Sequence, residues 1–210
     1  MNKHKALQSV NEIKELMERS SKFLSLSGLT GILVGIYSLI GAYMATRIFG
    51  TPQTFSESGR VILGINTLAK LQLIVLLALG VLSISVITAI IISYYKARKN
   101  GQTLFNKLTY RIVWNFSVPL ITGGFFCAAL LYQQNYGLTS SVMLLFYGIS
   151  LFNVAKYTFS NVTYLGYSFL ILGIIDCFME GHAILFWAIG FGGFHIIYGV
   201  LFYLQYERKS

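Results

Sequence analysis

Charge is the scarcest thing in this chain. Asp, Glu, Lys and Arg make up 11% of its 210 residues, and 7 of these are acidic. A soluble domain usually carries about 25%. Hydrophobic residues reach 55% and the mean hydropathy is +0.66. Together these values exclude an ordinary soluble globule, a disordered chain and a coiled coil. They also exclude a nucleic-acid binder, despite a formal net charge of +9. Cysteine is nearly as rare. Cys127 and Cys177 both lie in apolar stretches, so no disulfide framework is implied and both read as small buried residues. HExxH, GxSxG, P-loop and CxxC patterns are missing, which argues against a hydrolase or an ATP-driven enzyme and gives no reason to expect a cofactor. Residues 1–22 are too polar and too acidic for a signal or transit peptide. No lipidation box is visible: position 2 is Asn2, and the last four residues are Glu207, Arg208, Lys209 and Ser210. Insertion is therefore expected to be driven by the first apolar segment.

What the chain does have is long apolar runs. A spanning helix needs about 20 mainly apolar residues. Six stretches qualify: 23–48, 71–95, 110–132, 138–157, 162–179 and 183–206. The runs are continuous, whereas the strands of a membrane barrel alternate. The expected fold is thus all-α, a polytopic bundle of six transmembrane helices. The fourth and fifth runs are separated by about four residues, so they read as a tight hairpin or as one kinked element. With six spans, the side holding both termini carries 13 Lys and Arg and the opposite side carries Arg47, Arg60 and Lys70. Positive charge marks the cytoplasmic side, so both termini are expected there. The +9 charge becomes mainly a topology signal, with anionic lipid at the cytoplasmic face as its expected partner. Tyr94, Tyr95, Tyr110, Trp114, Tyr157 and Tyr206 fall near that boundary, and Tyr132, Tyr136 and Trp187 near the outer one, as aromatic belts do.

Ahead of the first span, residues 7–22 read as a short amphipathic helix. Leu7, Val10, Ile13 and Met17 share a face, and Ser9 with Glu12 fits a capping box. It suits a helix lying on the membrane surface, or a docking helix for a partner or a second copy. The outer loop at 49–69 is polar, and no soluble domain stands on either side. Any activity must lie in or at the membrane.

Four patterns could carry function. Gly31 and Gly35 form a GxxxG step on the first helix, which favours close helix contact, within one chain or between copies of a homo-oligomer. Asn115, Asn153 and His195 fall, by a rise of about 1.5 Å per residue, in one band from the midplane toward the cytoplasmic half. Pro119 frees the carbonyl of residue 115 in that band, and freed groups at that depth must be satisfied by protein or by a water-filled cavity. The band reads either as a hydrogen-bond network between helices or as a solute, ion or proton site, with His195 as its ionisable member. Asp176, Glu180 and His182 cluster at the outer end of the fifth run. They read as a solvated acidic helix end, or as weak candidates for a divalent metal. Finally, short echoes such as Gly123-Gly124-Phe125 and Gly192-Gly193-Phe194 fit either an inverted 3+3 repeat or chance in a sequence rich in Gly, Leu and Phe.

Two stretches carry a resemblance: 17–28, MERSSKFLSLSG, and 186–199, FWAIGFGGFHIIYG. Over about an eighth of the chain it resembles an uncharacterised bacterial family of six-span integral membrane proteins. The resemblance implies a bacterial inner-membrane setting and transfers no activity and no site. The expected function is non-enzymatic: binding or passage of a small solute or ion, or service as an accessory membrane subunit. The alternatives are a scaffold that recruits a partner through 7–22, and an intramembrane metal-dependent enzyme.

Overall fold

Without water, a backbone must close its hydrogen bonds inside each segment or around a barrel. Here every described regular segment is helical. The structure, a computed structural model, describes residues 27–49, 65–99, 101, 106–159, 161–179 and 181–208. The amphipathic segment at 7–22 and Glu180 lie outside the described residues. Five helices follow in sequence order: α1 (Gly28–Phe49), α2 (Ile65–Lys99), α3 (Lys107–Tyr132), α4 (Thr139–Ala155) and α5 (Asn161–Phe178). A sixth, α6, spans Ala183–Glu207. It is not uniform: α-helical turns at Ala183–Trp187 and His195–Phe202 alternate with π-helical segments at Ala188–Phe194 and Tyr203–Glu207.

α1, α2, α3, α5 and α6 are long and apolar enough to cross a membrane. α4 is apolar but has 17 residues, about 26 Å of rise against a hydrocarbon core of about 30 Å. The chain is a polytopic helical membrane protein. Between α4 and α5 the chain leaves the helix at Lys156 and re-enters at Asn161, so these are two helices and not one kinked element. Asn106 caps α3, its Oδ1 accepting from the Thr109 N–H at 2.8 Å. Gly181, at φ 87°, supplies the left-handed turn that leads from α5 into α6.

Small residues set the packing. α1 lies along α6, and a Cβ added at Gly31 would stand 3.1 Å from the His195 carbonyl oxygen and 3.1 Å from Gly199 Cα. One added at Gly35 would stand 2.7 Å from the Gly192 carbonyl oxygen. The GxxxG face is therefore covered by α6 of the same chain. α4 and α5 meet in the same way, through Gly148 and Gly166, where each added Cβ would crowd the other's carbonyl oxygen at 3.0 and 3.2 Å. α1, α4, α5 and α6 form the centre. α2 rests on α1 and α3 rests on α4, and both present most of their length outward. Leu144 and Phe169 are fully buried at the middle of the core.

One end of the bundle is tied by a carboxylate. Glu207, at the end of α6, pairs with Lys96 near the end of α2 and accepts from the Gly28 N–H at the start of α1. An acceptor suits the unpaired N–H groups of a helix start, and the Lys96 ammonium stands 5.7 Å over the Phe202 ring. The start of α1 and the end of α6 thus share one side.

Candidate functional site

His195 opens the second α-helical stretch of α6, directly after seven π-helical residues. Gly190, Gly192 and Gly193 fall in that segment. Glycine weakens an α-helix by about 1 kcal/mol per residue, so a run containing three of them yields readily to another backbone geometry. π-helical turns are rare and concentrate at functional sites. The geometry here also makes room for neighbours: a Cβ on Gly190 would stand 2.5 Å from Leu144 Cδ2 and 3.1 Å from the Phe169 ring.

The His195 side chain is 6% exposed. Its Nε2 shares a 2.7 Å hydrogen bond with the Tyr147 hydroxyl of α4. Its Nδ1 lies toward the carbonyls of Gly190 and Phe191 but reaches no hydrogen bond of good geometry. The tautomer that serves both ends carries its proton on Nδ1, facing those carbonyls, and accepts the Tyr147 O–H at Nε2. Aromatic rings enclose the pair. Phe169 lies 4.8 Å from the Tyr147 ring and 5.5 Å from the imidazole. Phe191 lies 5.0 Å from Tyr147 and stacks on the imidazole at 6.2 Å. Phe116 of α3 closes the Tyr147 side at 5.7 Å. Three residues along α6, the Tyr198 hydroxyl is buried without a partner. The Tyr147 hydroxyl and the imidazole can each donate or accept, and two polar atoms among these rings, His195 Nδ1 and the Tyr198 hydroxyl, are left without a partner.

The other residues of the expected polar band do not join it. Asn115 turns its amide back onto its own helix, donating to the Arg111 carbonyl at 2.7 Å. Pro119 sits inside a continuous α3. Asn153 is half-buried on α4, six residues past Tyr147, about 9 Å along the axis and a third of a turn around it. His195 finds a tyrosine and not an amide or a serine.

A second polar cluster lies near the other end of the bundle. Asp176 of α5 is 3% exposed. Its Oδ2 accepts from the Ser140 hydroxyl at 2.6 Å and the Ser141 hydroxyl at 2.9 Å, both on the first turn of α4. Its Oδ1 is buried with no partner. His182 is exposed just ahead of α6 and acts on Asp176 through charge. Among the described residues no group of three His, Cys, Asp or Glu side chains is placed to hold a metal ion.

Comparison with protein-family models, curated proteins and solved structures gives no match. The functional reading of this membrane protein therefore stands on its own residues. Three contributors were not singled out in the sequence. Tyr147 lies at mid-helix, far from either belt position, and a hydroxyl at such depth requires a partner. Ser140 and Ser141 sit near the start of their run, at the end of the bundle where Asp176 lies in the next, and a buried carboxylate there requires donors.

Proposed function

We propose that this protein binds a small solute or ion inside its helical bundle and passes it across the membrane, with Tyr147 and His195 at the centre of the path. The observation that carries the reading is the buried Tyr147–His195 hydrogen bond beside a π-helical turn. An ionisable residue at such depth is kept in most membrane proteins for a functional reason. The proton is the ion that this pair can handle directly. A π-helical segment that reverts to α geometry would rotate His195 against α4.

The proposal includes orientation. It has both termini in the cytoplasm of a bacterial cell, the bundle in the inner membrane and anionic lipid against the charged side, and the 13-to-3 distribution of Lys and Arg supports the orientation. No enzymatic step is part of this reading, and a metal at Asp176, Glu180 and His182 would be needed to revive one.

The test uses vesicles that carry the full chain and a trapped pH-sensitive dye. Under an imposed pH gradient and a clamped potential, His195→Ala is expected to abolish proton entry, while the protein still elutes as the native particle. Tyr147→Phe keeps the ring and removes the hydroxyl, and it is expected to slow entry at least about tenfold, the worth of one lost hydrogen bond to a charged or transferring group. Equal rates for the native chain and His195→Ala would sink the proposal for the proton. Native mass spectrometry on gently released protein extends the test to other solutes: a bound mass lost in His195→Ala would identify the cargo.

A further inference from the structure

A crevice of about 140 Å³ opens between α1, α2 and the first turns of α4 and α6. Ala42, Leu77, Met143 and Trp187 give it apolar walls, and Thr139 and Ser140 supply its hydroxyl groups. That volume matches the engineered protein cavities of about 150 Å³ that take one benzene molecule.

The two hydroxyls are already committed as donors. Thr139 donates to the Tyr136 carbonyl at 2.7 Å, and Ser140 donates to Asp176 Oδ2. Each hydroxyl oxygen then has only lone pairs left to offer, so these two residues accept hydrogen bonds and do not give them. Directly behind Ser140 stands a carboxylate whose second oxygen is buried without a partner. Such a charge requires a positive counterpart or a proton. Among the described residues the bundle's salt bridge, Lys96–Glu207, lies at the opposite end. Among the described residues, His182 is the titratable group that faces Asp176 from a neighbouring element, and it is exposed. Trp187 adds an aromatic ring to the wall.

We infer that this crevice is a binding site for a small organic ammonium ion with an apolar body of about one ring. The apolar part fills the space between α1 and α2. The ammonium donates to Ser140 Oγ, which relays the pull of Asp176 through its own hydrogen bond. A neutral molecule of the same shape gains the apolar contacts alone, so the site selects for charge. This inference concerns a different part of the bundle from Tyr147 and His195 and does not depend on their role.

The experiment is calorimetric titration of the full chain in neutral detergent with benzylammonium, and separately with benzyl alcohol as the uncharged probe. The native chain is expected to bind benzylammonium at least about tenfold more tightly, the difference between a charge-assisted hydrogen bond and a neutral one. Asp176→Asn keeps the shape and is expected to lose that preference. Ala78→Leu, which fills the crevice from α2, is expected to weaken both probes. Should Asp176→Asn fail to fold, Ser140→Ala serves in its place, because Ser141 still holds the carboxylate, and it too should lose the preference. Equal binding of the two probes by the native chain overturns the inference. So does a preference that survives in Asp176→Asn or Ser140→Ala, or a crevice that admits neither probe because a lipid acyl chain fills it.

Discussion

Gly199→Val is expected to part α1 from α6 and to destabilise the bundle by about 3 kcal/mol or more, the upper range for overpacking a tight interior. A Cβ at Gly199 would lie 2.6 Å from the Gly28 carbonyl oxygen and 2.6 Å from the Ile32 backbone nitrogen. Both obstacles are backbone, so no rotamer change relieves them. The branch of valine adds to the crowding, because Ile32 Cγ1 is already 2.9 Å away. Gly124→Ala is the matched control. Nothing lies within 4 Å of its added Cβ, and losing a helical glycine there should gain about 0.5–1 kcal/mol. Thermal or SDS-induced unfolding in micelles reads both. Equal midpoints for Gly199→Val and the native chain would mean that the α1–α6 seam does not hold the fold.

Phe169→Ala is the second substitution with a large expected effect. Phe169 is 0% exposed and stands against Tyr147, Phe191, Phe194 and His195 at centroid distances from 4.8 to 5.7 Å. In a water-soluble core its removal would cost about 3–5 kcal/mol. A helix separated into lipid is still surrounded by hydrocarbon, so the transfer part largely drops out and lost packing remains. The expected loss is about 2–3 kcal/mol. Because the ring also walls the Tyr147–His195 pair, the cavity should admit water to it. Hydrogen exchange at the His195 ring, followed by NMR, should quicken at least about tenfold. An unchanged exchange rate with a lowered midpoint would leave Phe169 as packing alone.

The helical class of the protein was open in its sequence because hydropathy is summed over long windows, and no single residue decides it. Interior details were closed for a different reason. Whether Gly31 and Gly35 serve a second copy or the same chain depends on which helix returns to α1, and that follows from the fold of residues more than 150 positions away. His195 was recognisable as a buried ionisable residue. Its partner was not, because the π-helical segment before it shifts the helix phase, and an ideal 3.6-residue periodicity cannot place Tyr147 against it. Asn115 does not join the pair, since a side chain can satisfy itself on the carbonyl four residues back. Asp176 drew attention through its charge and through the acidic neighbour at 180. Inside the bundle it turns instead to Ser140 and Ser141, two short side chains that carry little signal in a membrane sequence.

The seam between α1 and α6 also has a schedule. Gly28 and the carboxylate that meets it are 179 positions apart. At about 5–20 residues per second, roughly 10–35 s of translation separate the two halves of that contact. For that interval the first helix sits in the bilayer with its glycine face uncovered, beside α2 alone. Anything in the membrane with a matching ridge competes for it, including the first helix of another nascent copy on the same messenger. α6, made long after α1, is therefore the segment that closes the bundle, and a stall before α6 strands an adhesive α1 in the membrane.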